Sequence, residues 1–432
     1  MFRTFVVFVT LTLGSLPSVP AAERSIDSMR RVDRSNPPSR DEASQRQFIY
    51  RTEPHPAFGE KYTIVTDFSD ATHLDALDRL ARHRGGVVIR VDDLGALAGN
   101  ADERQKLTAS LRGASPKFVA IAPRWSSYRE NMLLAMWQVL AALDDDPQLD
   151  AFPGLLLAAN DRQFEALIDR SIQYSPQVSS AVRPFLVAQL TRESPPTNGR
   201  SLEKVQLLRD LFEQKGIATS NLLVRQFQAE PQSLQPSRKS RQWEVAMSAP
   251  RRVVDELPSP ALEALNDSTL LVMFGHGVPG MTCSIDVNLF DKVRMDNKIV
   301  LSGSCYSAAP LESDFAPDRV GIDGSEIRND RPRFAFRAIA GGATVVYGHM
   351  HENGGFPEMY PVLDAWMNGL TVGEAYQRQL NALLAWNDVP LNALTLRSKE
   401  EQNPRASRRK NGLLYVIIGD PALVPLAPMP AE

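Results

Sequence analysis

Cysteine is nearly missing from the 432 residues, which hold only Cys283 and Cys305. Two thiols cannot staple a chain of this length, so the fold must rest on a hydrophobic core rather than on a disulfide framework. Surplus positive charge is missing too: 48 Lys and Arg stand against 51 Asp and Glu. Without a basic excess to hold a phosphate backbone, nucleic acid is excluded as an expected partner. Beyond the N-terminus no apolar run approaches the roughly 18 residues that span a bilayer, so no stable membrane insertion is expected. Internal repeats, heptads and Gly-rich phosphate loops are also lacking, and no cofactor is implied.

What is present is the composition of a globular chain, 43% hydrophobic and 23% charged. At a prior of about 150 residues per domain it divides into two or three units. Residues 1–22 carry Arg3, an apolar stretch from Phe5 to Leu13, then Pro17, Pro20 and the small pair Ala21-Ala22. That order is the pattern of a secretory signal peptide and predicts a secreted or periplasmic protein. Residues 23–57, rich in Arg and Ser with Pro37-Pro38, read as a flexible linker or pro-segment.

From Tyr62 onward short apolar runs alternate with helical patterns. Tyr62 to Val65, Val87 to Val91 and Phe118 to Ala122 read as strands. Between the first two, Asp70 caps a helix that runs to His83 and stops at Gly85-Gly86. Strands separated by helices imply βαβ units and a parallel sheet. A helix over Arg129 to Leu143, a strand over Gly154 to Ala158 and a helix over Gln163 to Gln173 continue the alternation. The Pro- and Gly-containing cluster Ser194 to Gly199 then marks a boundary. We therefore expect an N-terminal α/β subdomain over 58–195, a second over 196–425 and a short tail over 426–432. Residues 225–260, of mixed polarity with several prolines, read as a long surface connection with one helix at most.

Chemistry concentrates in the second half. Leu270 to Phe274 runs into Gly275-His276-Gly277, and Ile299 to Leu301 into Ser302-Gly303-Ser304-Cys305. Open α/β sheets place ligands beyond the carboxyl ends of their strands, so two such strands side by side would deliver an imidazole and a thiol to one crevice. A thiol attacks best as thiolate, and a nearby imidazole can take its proton and return it to a leaving amine. Gly277, without a side chain, would let substrate approach and expose a main-chain N–H to an oxyanion. Ser302, Gly303 and Ser304 would keep the crevice floor open. Cys283 reads as a packed thiol.

His349-Met350-His351-Glu352 offers another reading. Two imidazoles and a carboxylate, with His276 and Asp286 or Asp323, suit a metal-dependent hydrolase. A substrate-pocket loop is preferred, and no metal ligand is assigned. A third reading keeps the scaffold and drops the chemistry, leaving an inert binding or assembly protein.

An apolar strand ending in His-Gly, followed by one ending in a small residue and Cys, resembles the cysteine peptidases that include caspases, legumains and gingipains. Phe274-Gly275-His276-Gly277, Leu301 to Cys305, Gly342 to Tyr347 and Ile418 to Leu423 are most similar to the gingipains. The resemblance runs from about Tyr62 to Leu423. It implies a three-layer α/β/α sandwich of caspase-like fold, with mostly parallel sheets in two subdomains. It also implies a cysteine-type endopeptidase with His276 as general acid/base, Cys305 as nucleophile, Gly277 N–H in the oxyanion site, and a protein or peptide as substrate. Two features depart from those relatives. Asp144 to Ala159 lacks their Gly-containing acidic turn, so the resemblance does not carry a calcium site to that segment, and no acidic residue is matched that would read Arg or Lys at the cut.

Overall fold

The computed structural model describes residues 57–146, 148–190, 195–225, 234–235, 237–247, 253–310, 333–351, 359–387 and 412–428. The expected signal peptide, nearly all of the linker, Asp323 and Glu352 lie outside them. Fourteen strands and nine α-helices are described, and eleven of the strands form one sheet, in the order β2-β1-β3-β4-β14-β13-β12-β8-β5-β6-β7.

The first block of that sheet is β1 (Lys61–Thr66), β2 (Val87–Arg90), β3 (Pro116–Ala122) and β4 (Phe152–Leu155), mutually parallel. The second is β5 (Pro184–Leu190), β6 (Ser220–Arg225), β7 (Arg241–Ala246), β8 (Leu270–Phe274), β12 (Ile299–Ser302) and β13 (Val345–His349), also mutually parallel. Strand β14 (Tyr415–Ile418) joins them, parallel to β4 and antiparallel to β13. The expected three-layer α/β/α architecture with mostly parallel strands is thus present, and the two blocks share a single continuous sheet in which they run in opposite directions. Strand β5, ahead of the 195/196 division drawn from the breakers, lies inside the second block.

Local chemistry explains most of the elements. Helix α1 (Ala71–His83) starts where the Asp70 side chain accepts the His73 N–H at 3.0 Å. Helix α2 (Ala101–Ala114) has Asn100 in the same role for Glu103. Helix α3 (Glu130–Leu140) buries Met132 to Trp137 together with Val139 and Leu140, so it is apolar nearly all round and lies inside the protein. Its Trp137 indole donates to the Leu413 carbonyl at 3.0 Å, tying the helix to the approach to β14. Helix α4 (Asp161–Gln173) is capped by Asn160. Helix α5 (Pro195–Gln214) begins on the first proline of the expected breaker cluster. A proline fits the opening turn of a helix because the N–H it lacks there has no helical acceptor anyway.

The run from 225 to 260 contains an element we did not expect, the edge strand β7, and leads into α6 (Ser259–Asp267). After β8 the chain makes a three-stranded ribbon of β9 (Gly277–Val278), β10 (Met281–Thr282) and β11 (Ile285–Asp286). Helices α7 (Phe334–Ala340), α8 (Tyr360–Met367) and α9 (Val372–Asn387) complete the fold. Among the described residues no helix is long and apolar enough to cross a membrane.

The end of β14 is anchored by a buried carboxylate. Asp420, with no exposed surface, accepts the Tyr62 hydroxyl at 2.9 Å and the Ala422 N–H at 3.0 Å, and pairs with Arg84 at 2.6 Å. Burial, reinforced by the Asp420 charge, holds the Tyr62 phenol well above its ordinary range.

Candidate active site

Strands β8 and β12 are neighbours, with Leu301 opposite Val272 and Ser302 opposite Met273. The Gly303 N–H extends the ladder by donating to the Met273 carbonyl at 2.9 Å. His276 therefore follows one strand and Cys305 the next on the same edge of the sheet. His276 is exposed and Cys305 half-buried.

Gly277 is buried, and its missing side chain meets a packing requirement that the sequence did not show. A Cβ there would stand 2.7 Å from the Cys305 carbonyl oxygen and 2.7 Å from Ser304 Cβ. Contacts that short are forbidden, so glycine is required to let the His-Gly turn lie against the Cys305 main chain. Ser302 and Ser304 also differ from expectation. Both are fully buried, and their hydroxyls hold the ribbon instead of lining an open floor. Thr282 Oγ1 lies 3.1 Å from Ser302 Oγ and donates to Ser304 Oγ at 3.0 Å, while the Cys283 N–H donates to Ser304 Oγ at 3.2 Å. A hydroxyl cluster next to Cys305 in the chain thus binds β10 to the end of β12.

The two cysteines have unlike surroundings. Cys283 is fully buried with Sγ 3.3 Å from Ser304 Oγ, and burial pushes its thiol up to about 12. It stays protonated near neutrality and is a packed thiol, as its sequence context suggested. With Ser284 it forms the two-residue turn between β10 and β11, both residues at positive φ, 50° and 58°. Such a pair matches the strand twist of a tight hairpin.

The chain turns sharply beyond Cys305, with Tyr306 at φ 56°. That left-handed residue is held by its neighbours. The Tyr306 N–H donates to the His351 carbonyl at 3.0 Å and the Ala308 N–H to the His349 carbonyl at 2.9 Å, while the Ser307 hydroxyl accepts the His349 N–H at 3.0 Å. His349 is wholly buried, its Nδ1 3.1 Å from the His351 main-chain nitrogen and its ring 4.2 Å from that of Tyr415. The His349–His351 segment thus braces the turn that follows Cys305. Asp286 caps the following 3₁₀ turn by accepting the Asn288 N–H at 2.8 Å.

Among the described residues the one group of three metal-ligating side chains is elsewhere, at Asp144, Asp146 and Asp150, with a ligand atom of each within 4.8 Å of the others. Asp150 is fully buried; Oδ2 accepts the Leu143 and Asp144 N–H groups at 3.1 and 3.0 Å, and Oδ1 has no partner. Burial, with the Asp144 charge beside it, pushes the Asp150 carboxyl up to about 7. The segment lacks the Gly-containing turn that its resemblance called for, and the burial of Asp150, beyond the Asp144-Asp145-Asp146 run, does not show in the sequence. An all-oxygen set of this kind suits a hard divalent cation.

A residue missed in the sequence, Gln189, stands at the end of β5. Its side chain is buried and accepts the His276 N–H through Oε1. No motif marks it, and only the pairing of β5 with β8 brings it there.

No protein-family model matches the chain, and no curated protein matches its sequence. Solved structures do match. The Arg-specific cysteine proteinase gingipain R superposes with a TM-score of 0.55 at 13% identity, over 88% of this chain and 82% of that one. The complex of RgpB pro- and mature domains from Porphyromonas gingivalis gives 0.53 at 11% identity, over 86% and 81%. A structure described as a protease gives 0.52 at 14%, over 86% and 80%. The chain therefore has the gingipain form of the caspase-like fold.

Proposed function

We propose that this protein is an exported cysteine-type endopeptidase in which His276 and Cys305 act together. The observation that carries the proposal is the adjacency of β8 and β12, which sets an exposed imidazole and a half-buried thiol on one rim with Gly277 against the Cys305 main chain. Export is inferred from the N-terminal pattern of residues 1–22.

In this reading the His276 imidazole takes the Cys305 thiol proton, and the thiolate attacks the carbonyl carbon of a peptide bond. The oxyanion of the tetrahedral intermediate is held by the main-chain N–H groups of Gly277 and Cys305, a role whose loss costs on the order of 10²-fold to 10³-fold in rate. Collapse breaks the C–N bond, and the imidazolium returns its proton to the leaving amine. The resulting thioester is hydrolysed when His276 takes a proton from water, the hydroxide adds to the carbonyl, and the thiol leaves with that proton restored. Asp144, Asp146 and Asp150 are the side chains that would hold a cation, and no step runs through them.

The test is labelling and cleavage with purified mature protein. A peptide library should be cut by the wild type and left intact by Cys305→Ala and His276→Ala, and an electrophilic peptide probe should modify Cys305 alone. Unlabelled Cys305 together with unchanged cleavage in Cys305→Ala would overturn the reading.

A further inference from the structure

We infer that Gln189 is a positioning residue for His276: one side-chain amide fastens both legs of the ribbon after β8 to strand β5 and so fixes where the imidazole is presented. The inference rests on the reading of His276 and Cys305 as a catalytic pair.

Every residue of β5 is buried, and Gln189 is the one polar side chain in the run Pro184 to Leu190, only 5% exposed. A buried amide must satisfy both a donor and an acceptor or lose stability. Gln189 does so on a single structure. Its Oε1 accepts the His276 N–H, and its Nε2 donates to the Ser284 hydroxyl at 2.5 Å. His276 is where the chain enters the ribbon and Ser284 where it leaves β10. The two legs are also joined directly, through the Cys283 N–H donating to the His276 carbonyl at 2.8 Å.

Two further features fit this clamp. A Cβ at residue 275 would stand 2.5 Å from both Gln189 Cβ and Gln189 Oε1, so Gly275 is what allows the amide to reach beneath the strand end. Ser284 is held at a positive φ of 58°, a conformation that persists in a non-glycine residue only when its surroundings enforce it. The His276 imidazole is carried by the main chain that Gln189 grips, so loosening that grip shifts the point from which the ring is presented. Productive acid/base geometry tolerates little error, and a shift of about 1 Å costs on the order of 10²-fold.

The experiment compares Gln189→Met, which fills the space without accepting a hydrogen bond, with Gln189→Glu, which keeps an acceptor. Gln189→Met should lower kcat on the order of 10-fold to 100-fold while KM stays within about twofold, and Gln189→Glu should recover most of kcat. Loss expressed in KM, wild-type kcat in Gln189→Met, or equal loss in both variants overturns the inference. The second readout needs no activity. The chain has 6 histidines, so in protein labelled with ¹⁵N-histidine the His276 amide can be assigned by its disappearance in His276→Ala. That proton resonance should move upfield in Gln189→Met and return in Gln189→Glu; an unmoved resonance refutes the clamp. Wild-type protein that cuts no peptide defeats the dyad reading instead, and the His276 resonance then decides the clamp alone.

Discussion

The two blocks of the sheet are built from the same parallel strands and end in very different rims. Beyond β1 in the first block, Asp67 accepts the Leu94 N–H at 3.1 Å, the Arg124 N–H at 2.6 Å and the Ser127 hydroxyl at 2.5 Å, with the Arg124 guanidinium at 3.3 Å. Both oxygens of that carboxylate accept hydrogen bonds and its side chain has no exposed surface. Beyond β8 and β12 in the second block, an exposed imidazole and a half-buried thiol accompany a saturated hydroxyl cluster. Because the blocks run in opposite directions, the two rims point to opposite edges of the sheet. A strand end becomes a chemical site only when its polar groups are left facing solvent, and the first rim spends its polar groups on holding loops together.

Substitutions can break that contrast, beginning with the largest effect. On the proposed reading, Cys305→Ala should lower peptide cleavage by more than about 10³-fold while the protein stays folded, because the thiol is the attacking group. Asp67→Ala should do the reverse, leaving turnover per folded molecule intact. It strands a cation and several donors, at a cost of about 3 kcal/mol in denaturant unfolding. A similar or larger loss, about 3–5 kcal/mol, is expected for Asp420→Ala, which leaves Arg84 and the buried Tyr62 hydroxyl without their shared acceptor. Thiol titration sharpens the comparison within the second block. The native protein should show one reactive cysteine and the unfolded protein two, since the Cys283 thiol is buried and held protonated.

The smallest effect concerns Asp150. Its folded pKa is raised to about 7 from a carboxylate's ordinary value, so the folded state binds the proton more tightly than the unfolded one. The associated stability is fully present below the unfolded pKa, about 4, and is lost as pH rises through about 7. In a metal-free buffer, Asp150→Asn, which keeps an acceptor for the Leu143 and Asp144 N–H groups, should melt later than wild type at pH 8. At pH 4 the difference should be near zero, and melting curves at the two pH values measure it.

How much of this was legible in the sequence depends on whether an element's signal was local. β8 and β12 were readable because buried parallel strands are bare apolar runs, and α1 because Asp70 caps it. β7 was not, since Arg-Gln-Trp-Glu-Val-Ala at a sheet edge is mostly polar and exposed. β5 carried an apolar run that lay just ahead of a breaker cluster, and those prolines open a helix instead of closing a domain. The placing of His276 and Cys305 after neighbouring strands could be read off two apolar runs, whereas the contact of Gln189 with His276 could not, because it arises only through the pairing of β5 with β8. The packing constraint on Gly277 was hidden for a related reason: what fills the space beside a glycine is tertiary information. The grouping of Asp144, Asp146 and Asp150 depends likewise on the burial of one member.

The seam between the blocks rests on β14, which meets β4 through the single pair Ile418 and Leu155 and meets β13 through four. Of all the described strands it is the last to be synthesised. Without residues 415–418 the two half-sheets would share no strand, and each would end in an open flank of unpaired main-chain groups.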